Sequence, residues 1–243
     1  MNTVGIRREQ MRPTKKDARI AGLLYVLLGV IGPIRLIYIP NKLIVSGNAA
    51  GTASNIAAHQ TLFRLGIVSD LLGATIAIFV TLALYRLLKG VNQSLAVLMV
   101  ILGSLMVTPI YFVNTVNDGA ALLFARGADF LSVFTRPQQE SMAMLFLRLH
   151  HQCILANEIF WGLWLFPLGL LVYRSRFLPR FLGAWLIGAC FAYLALSFTG
   201  LLFPQYEGSV FTFAQPLMFS EVAMMLWLLI KGIKVQPLAA AAA

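Results

Sequence analysis

The sequence predicts an all-α polytopic membrane protein, a bundle of six transmembrane helices with both termini cytoplasmic. Three observations carry that reading. Of 243 residues, 59% are hydrophobic and only 12% charged, with a mean hydropathy of +0.81, whereas a soluble domain carries about 25% charged residues. The apolar residues gather into six runs near the ~20 residues that a helix needs to cross a hydrocarbon core of about 30 Å. Finally, Lys and Arg distribute unevenly between the two ends of those runs. With the N-terminus inside, only Arg35, Lys42, Arg64, Arg126, Arg136 and Arg148 of the 19 basic residues fall at outer ends. That is the positive-inside bias of a multi-pass chain.

Taken in order, residues 1–17 form a basic cytoplasmic tail containing Arg7, Arg8, Arg12, Lys15 and Lys16. The first span covers 18–39. It is too long for a signal-peptide core and lacks a small-residue cleavage site, so it reads as a retained helix. Gly29, Gly32 and Pro33 allow close packing or a kink, and Pro40 is expected to stop it. In the following connector, NAAGTASNIAAH suits a short helix along the membrane surface. The second span, 63–88, closes with Tyr85, Arg86 and Lys89. A tight turn leads to the third, 95–113, which runs on into Asn114, Asn117 and Asp118. In the connector after it, FARGADFLSVF suits an interfacial helix. Thr135 followed by RPQQE supplies a capping residue and then Pro and Glu for a first turn. The fourth helix is therefore expected to begin near Arg136 and to cross the membrane over 146–173. The fifth and sixth spans cover 181–203 and 211–230, the last ending at Lys231 and Lys234. Residues 18–234 thus make one transmembrane domain, and 235–243 is a low-complexity tail.

The most constrained stretch is 148–176. It has membrane-spanning length, yet it carries Arg148, His150, His151, Asn157 and Glu158. Polar groups at that depth must face protein or water rather than lipid. Asp70 in the second span and Glu158 in the fourth each lie the same number of residues before a Tyr-Arg pair, about 24 Å from the inner end at helical rise. That register suits a parallel duplication of spans two-three and four-five as well as it suits coincidence. Glu158 follows His151 by two helical turns and shares its face. Asn114, Asn117 and Asp118 share a face at the outer end of the third span, and Arg64 and Arg148 lie at similar depth. Glu221 sits nearer the midplane, about 15 Å from Lys231. These residues together define a polar layer in the outer half of the bundle, open to the exterior. Arg64, Arg148 or a polar neighbour is expected to satisfy Glu158.

FRLGIVSDLLG, LALYRLLKGVN, FWGLWLFPLGLLVYRSRFLPR and LSFTGLLFPQY resemble the bacterial membrane-protein family filed as domain of unknown function 4386. The resemblance covers about 18–231, and GLWLFPLG with YRSRFLPR is its most specific part. It implies a multi-pass protein of the bacterial cytoplasmic membrane and brings no catalytic residues to carry over.

Several function classes recede on composition. The net charge of +10 reflects membrane topology and anionic lipid rather than nucleic acid, because no basic stretch forms a separate module. Cys153 and Cys190 fall within apolar helices and read as buried packing residues, not a disulfide framework. Ser69, Ser197 and Ser220 have no sequence-local base, and Cys153 beside His150 and His151 reads as packing, so the reading leans away from an enzyme. The leading expectation is a protein that binds a small ligand, lipid or partner in the polar layer, in a lipid bilayer, as a homo-oligomer or a subunit of a membrane complex. One alternative is a small transporter or channel that uses Asp70, Glu158 and Glu221. Another is a metal-dependent membrane enzyme built on Asp70, His150, His151 and Glu158, although the chain lacks HExxH and ExxH pairs. Adjacent histidines point about 100° apart on a helix, so only one of them could join Glu158. Cofactor and metal stay unassigned at this stage.

Overall fold

The computed structural model describes residues 13–234, so the basic residues 1–12 and the tail 235–243 lie outside the described residues. Six helices within it are long and apolar enough to cross a membrane, and this is an all-α multi-pass membrane protein. Helix α1 spans Lys15–Leu43, α3 Gln60–Leu88, α4 Gln93–Arg126, α5 Arg136–Arg174 and α6 Arg180–Leu202. A short α2, Ala49–Ala58, precedes α3, and α7 spans Glu207–Ile230.

Local chemistry explains the ends of these helices, including two places where they depart from expectation. Helix α1 starts within the stretch expected to be tail, because Thr14 and Asp17 form a reciprocal capping box in which the Asp17 N–H donates to Thr14 Oγ1 at 3.1 Å. Pro40 does not stop it. A wide i→i+5 turn over Ile34–Tyr38 follows Pro33, and Pro40 then falls in the first turn of the segment Ile39–Leu43, where its missing N–H is harmless. The FARGADFLSVF stretch is not an interfacial helix. Helix α4 runs through Arg126 and ends at Gly127, whose φ of +68° is the left-handed cap conformation that glycine adopts freely. Only a short turn, Asp129–Leu131, follows. Helix α5 begins at Arg136, with the Thr135 N–H donating to Gln138 Oε1 at 2.8 Å. Its ladder is interrupted at Trp164, ahead of Pro167, which cannot donate to the preceding turn.

The long helices pack in a closed ring: α1 on α3, α3 on α4, α4 on α5, α5 on α6, α6 on α7, and α7 back on α1, with α2 laid against α4 and α5. Large apolar side chains face outward around the ring, among them Leu23, Leu72, Phe112, Phe191 and Phe213. That is the surface lipid requires, since hydrocarbon solvates side chains and no backbone groups. Inside, the apolar core is split. One cluster near the terminal ends of the chain joins Tyr25, Leu84, Leu165, Leu168, Leu186 and Leu228. A second, at the opposite end, joins Ile39, Leu43, Ile56, Phe63, Leu122 and Leu147. Along α1, α3, α4 and α5, the buried Arg35, Ser69, Asp70, Asn114, Asn117, Asp118, His150 and Asn157 fall between these two clusters.

A close backbone crossing joins α5 and α6. A Cβ built on Gly183 would stand 2.6 Å from the Gly169 carbonyl oxygen, and one on Gly169 2.7 Å from that of Gly183. Alanine normally gains about 1 kcal/mol over glycine inside a helix, but here the added carbon meets backbone, which cannot rotate away. Gly183→Ala is expected to lower stability by about 1–3 kcal/mol. Gly119→Ala on α4, where a Cβ meets nothing within 4 Å, should leave stability unchanged or raise it. Thermal denaturation in detergent reads both, and equal responses would count against this crossing.

Candidate functional site

Between the two apolar clusters, the chain buries an arginine, two aspartates and a histidine from four different helices. Arg35 lies in the wide turn of α1 with 2% of its surface exposed. Its Nε–H donates to Asp118 Oδ2 at 2.8 Å, and an Nη2–H donates to Asp118 Oδ1 at 2.6 Å. A guanidinium and a carboxylate in this fork geometry form the strongest kind of side-chain pair, and one that a buried charge requires. Room for it comes from α3. A Cβ on Gly66 would sit 3.1 Å from Arg35 Cδ, and the Arg35 Cζ lies 5.8 Å from the centre of the Phe63 ring.

His150 of α5 brings Nδ1 to 3.1 Å from Asp118 Oδ1, yet the alignment is not that of a hydrogen bond. Asp70 of α3 completes the group, with one potential ligand atom from each of Asp70, Asp118 and His150 within 4.8 Å of the other two. Beside this group, between the end of α1 and the middle of α5, lies a pocket of roughly 320 Å³. Arg35, Pro40 and Ile44 line one side, and Arg148, His150 and His151 the other. The polar layer is thus not an open outer face: the second apolar cluster overlies it, and this side crevice reaches it.

The sequence-predicted residues divide into those the fold assembles and those it scatters. Asp70, Asp118 and His150 meet. Asn114, Asn117 and Asn157 are buried in the same layer; the amide groups of Asn114 and Asn157 have no hydrogen-bond partner among the described residues, and Asn117 Nδ2 lies 3.9 Å from Cys153 Sγ. Arg148 is exposed at the pocket wall. Arg64 is exposed on α3 and makes no ion pair among the described residues. The expected partners of Glu158 do not reach it, and its Oε2 is buried with no described partner. His151 also turns elsewhere, with Nε2 3.4 Å from Glu207 Oε2 at the start of α7. The set His150, His151, Glu158 and Asp70 therefore does not converge. Glu221 stands apart from the layer, accepting hydrogen bonds from the hydroxyls of Tyr25 and Tyr193, the latter at 2.9 Å.

Arg35, Tyr25 and Tyr193 are the participants that sequence reasoning missed. The available signal was an arginine between Pro33 and Pro40, inside an apolar run.

A family model described as "Domain of unknown function (DUF4386)" matches residues 20–232. The chain belongs to this family. An uncharacterized protein of Archaeoglobus fulgidus is similar to part of this family member, 40% identical over 79 residues. That match covers 31% of this chain and 44% of the archaeal protein, so less than half of that relative is spanned. No solved structure matches the chain.

The buried pair sets a stability test. Removing one partner strands the other charge, so Asp118→Leu is expected to cost about 3–5 kcal/mol. The double variant Arg35→Met, Asp118→Leu should recover most of that loss, since a packed apolar pair replaces a buried ionic one at little net cost. Melting temperatures of the single and double variants in detergent check this, and additive losses would contradict it.

Proposed function

We propose that this membrane protein binds a small amphiphile with a carboxylate or phosphate head in the crevice beside Arg35, Asp118 and His150. The observation that carries the reading is the pocket wall. Arg35, Arg148, His150 and His151 line it, no carboxylate among the described residues does, and Leu36, Pro40, Ile44, Met144, Leu147 and Ile154 supply apolar surface. Arg148 is exposed and makes no ion pair among the described residues, so its donors are free to take an anionic head. The apolar walls suit the chain attached to that head. At roughly 320 Å³ the space is at the small end of ligand sites, which favours a short chain or the head of a longer one.

The orientation belongs to the same proposal. With both termini cytoplasmic, the pocket opens at the outer leaflet of a cytoplasmic membrane. The distribution of Lys and Arg supports this. A fluorescent protein fused to the C-terminus should then fluoresce and an alkaline phosphatase fused there should be inactive; the reverse pattern would invert the topology.

Binding is testable by calorimetry on protein in nanodiscs, with hexanoate and dihexanoyl phosphatidate as separate probes. Saturable binding of either is expected, and the two probes tell a carboxylate head from a phosphate head. Arg148→Ala should weaken it about tenfold or more, as expected for one charge-assisted hydrogen bond of about 1.5–3 kcal/mol. The fold should be unaffected, because Arg148 holds no other element in place. Binding undiminished in Arg148→Ala, or absent for both probes, would reject the proposal.

A further inference from the structure

Two buried atoms beside the Arg35–Asp118 pair have no hydrogen-bond partner among the described residues: Asp70 Oδ2 on α3 and His150 Nδ1 on α5. They are not scattered orphans. With the Asp118 carboxylate, their side chains place three potential ligand atoms within 4.8 Å of one another, and exposure is only 4%, 0% and 5% for Asp70, Asp118 and His150. Buried polar atoms left without partners cost free energy, so a shared occupant that satisfies both at once is the economical explanation.

The geometry also says what kind of occupant. His150 Nδ1 stands 3.1 Å from Asp118 Oδ1 without hydrogen-bond alignment. Two ligands of one metal ion, each about 2.0–2.2 Å from it, are separated by roughly 2.8–3.6 Å at octahedral to tetrahedral angles. The observed separation falls within that range. Asp70, within 4.8 Å of both, completes the set, and no described side-chain hydrogen bond holds it in place.

We propose that Asp70, Asp118 and His150 bind a divalent first-row transition-metal ion of the zinc type, with an open coordination position toward the pocket. One nitrogen and two carboxylate oxygens suit Zn²⁺ and its neighbours better than Ca²⁺ or Mg²⁺, which take all-oxygen shells. Arg35 is not a competitor in this arrangement. It grips Asp118 through both oxygens and fixes the carboxylate plane, the role that outer-shell partners play at metal centres. Charge accounting agrees. Two carboxylates and one guanidinium leave a net charge of minus one, a divalent ion brings it to plus one, and hydroxide or another anion from the pocket balances it. This site stands on the three side chains alone and does not depend on the amphiphile reading.

The test uses full-length protein in detergent, free of any affinity tag, stripped with a chelator and titrated with Co²⁺ as a spectroscopic stand-in. One Co²⁺ per chain is expected, with a visible d–d band of the intensity of four- or five-coordinate cobalt that Zn²⁺ then displaces. Asp70→Asn and His150→Gln should each weaken uptake at least tenfold. His151→Gln, at the adjacent position facing Glu207, should not change it. Asp70→Asn is the decisive variant, since the carboxylate it replaces makes no described hydrogen bond and the fold should not need it. A wild-type chain that takes up no Co²⁺, or a band that persists in Asp70→Asn, overturns the proposal. So does weak uptake equally reduced by His151→Gln.

Discussion

A guanidinium held in a membrane interior has to be met by a carboxylate, and much of this bundle is arranged to satisfy that requirement. Arg35 and Asp118 lie on helices α1 and α4, whose neighbour in the ring is α3. For the pair to close, α3 must be thin where they pass, and Gly66 makes it so. Helix α1 must present Arg35 inward although Leu36 and Ile37 flank it, and the wide turn Ile34–Tyr38 provides the rotation. A buried pair of this kind contributes little net stability compared with a packed apolar one. Its presence therefore argues for a site that needs fixed charge, with the apolar clusters on either side supplying the cohesion.

Those two clusters divide the labour along the bundle. The larger one, around Leu165, Leu168 and Leu186, joins the helices near the chain ends and contains the glycine crossing of α5 and α6. The smaller one, around Ile39, Ile56 and Phe63, caps the polar layer and recruits α2 to do so. Glu221 is handled differently from Asp118. It is enclosed by two tyrosine hydroxyls rather than a cation, which satisfies its oxygens at the midplane without opening the layer toward the larger cluster.

Composition and apolar run length made the six-helix architecture legible, because a bilayer imposes the same length on every span. The site was legible only in part. Asp70, Asp118 and His150 were visible as polar residues that lipid would not accept, but the grouping was obscured by two one-dimensional assumptions. Taking Pro40 as a stop placed Arg35 near a helix end, where it counted as a terminal charge. The helix in fact runs to Leu43, which leaves Arg35 about two turns inside. Pairing Glu158 with His151 followed from their spacing on one helix. The actual partner of His151 is Glu207, remote in sequence and brought alongside by the closing of the ring. Contacts between helices carry no such periodic signal, so Gly66 facing Arg35 and Tyr193 facing Glu221 could not be read in advance.

The wide turn in α1 is where the count of residues in this helix has slack. An i→i+5 turn holds one residue more than the α-helix it interrupts, and each residue corresponds to about 100° of rotation. Loss of one residue between Leu36 and Tyr38 would let the turn relax to ordinary pitch and leave the faces on either side of it where they are. The same deletion in the regular helix ahead of the turn would swing everything beyond it by about 100° and carry Ile39 and Leu43 off the core. A shortened α1 is therefore tolerated at this turn and nowhere else along its regular length.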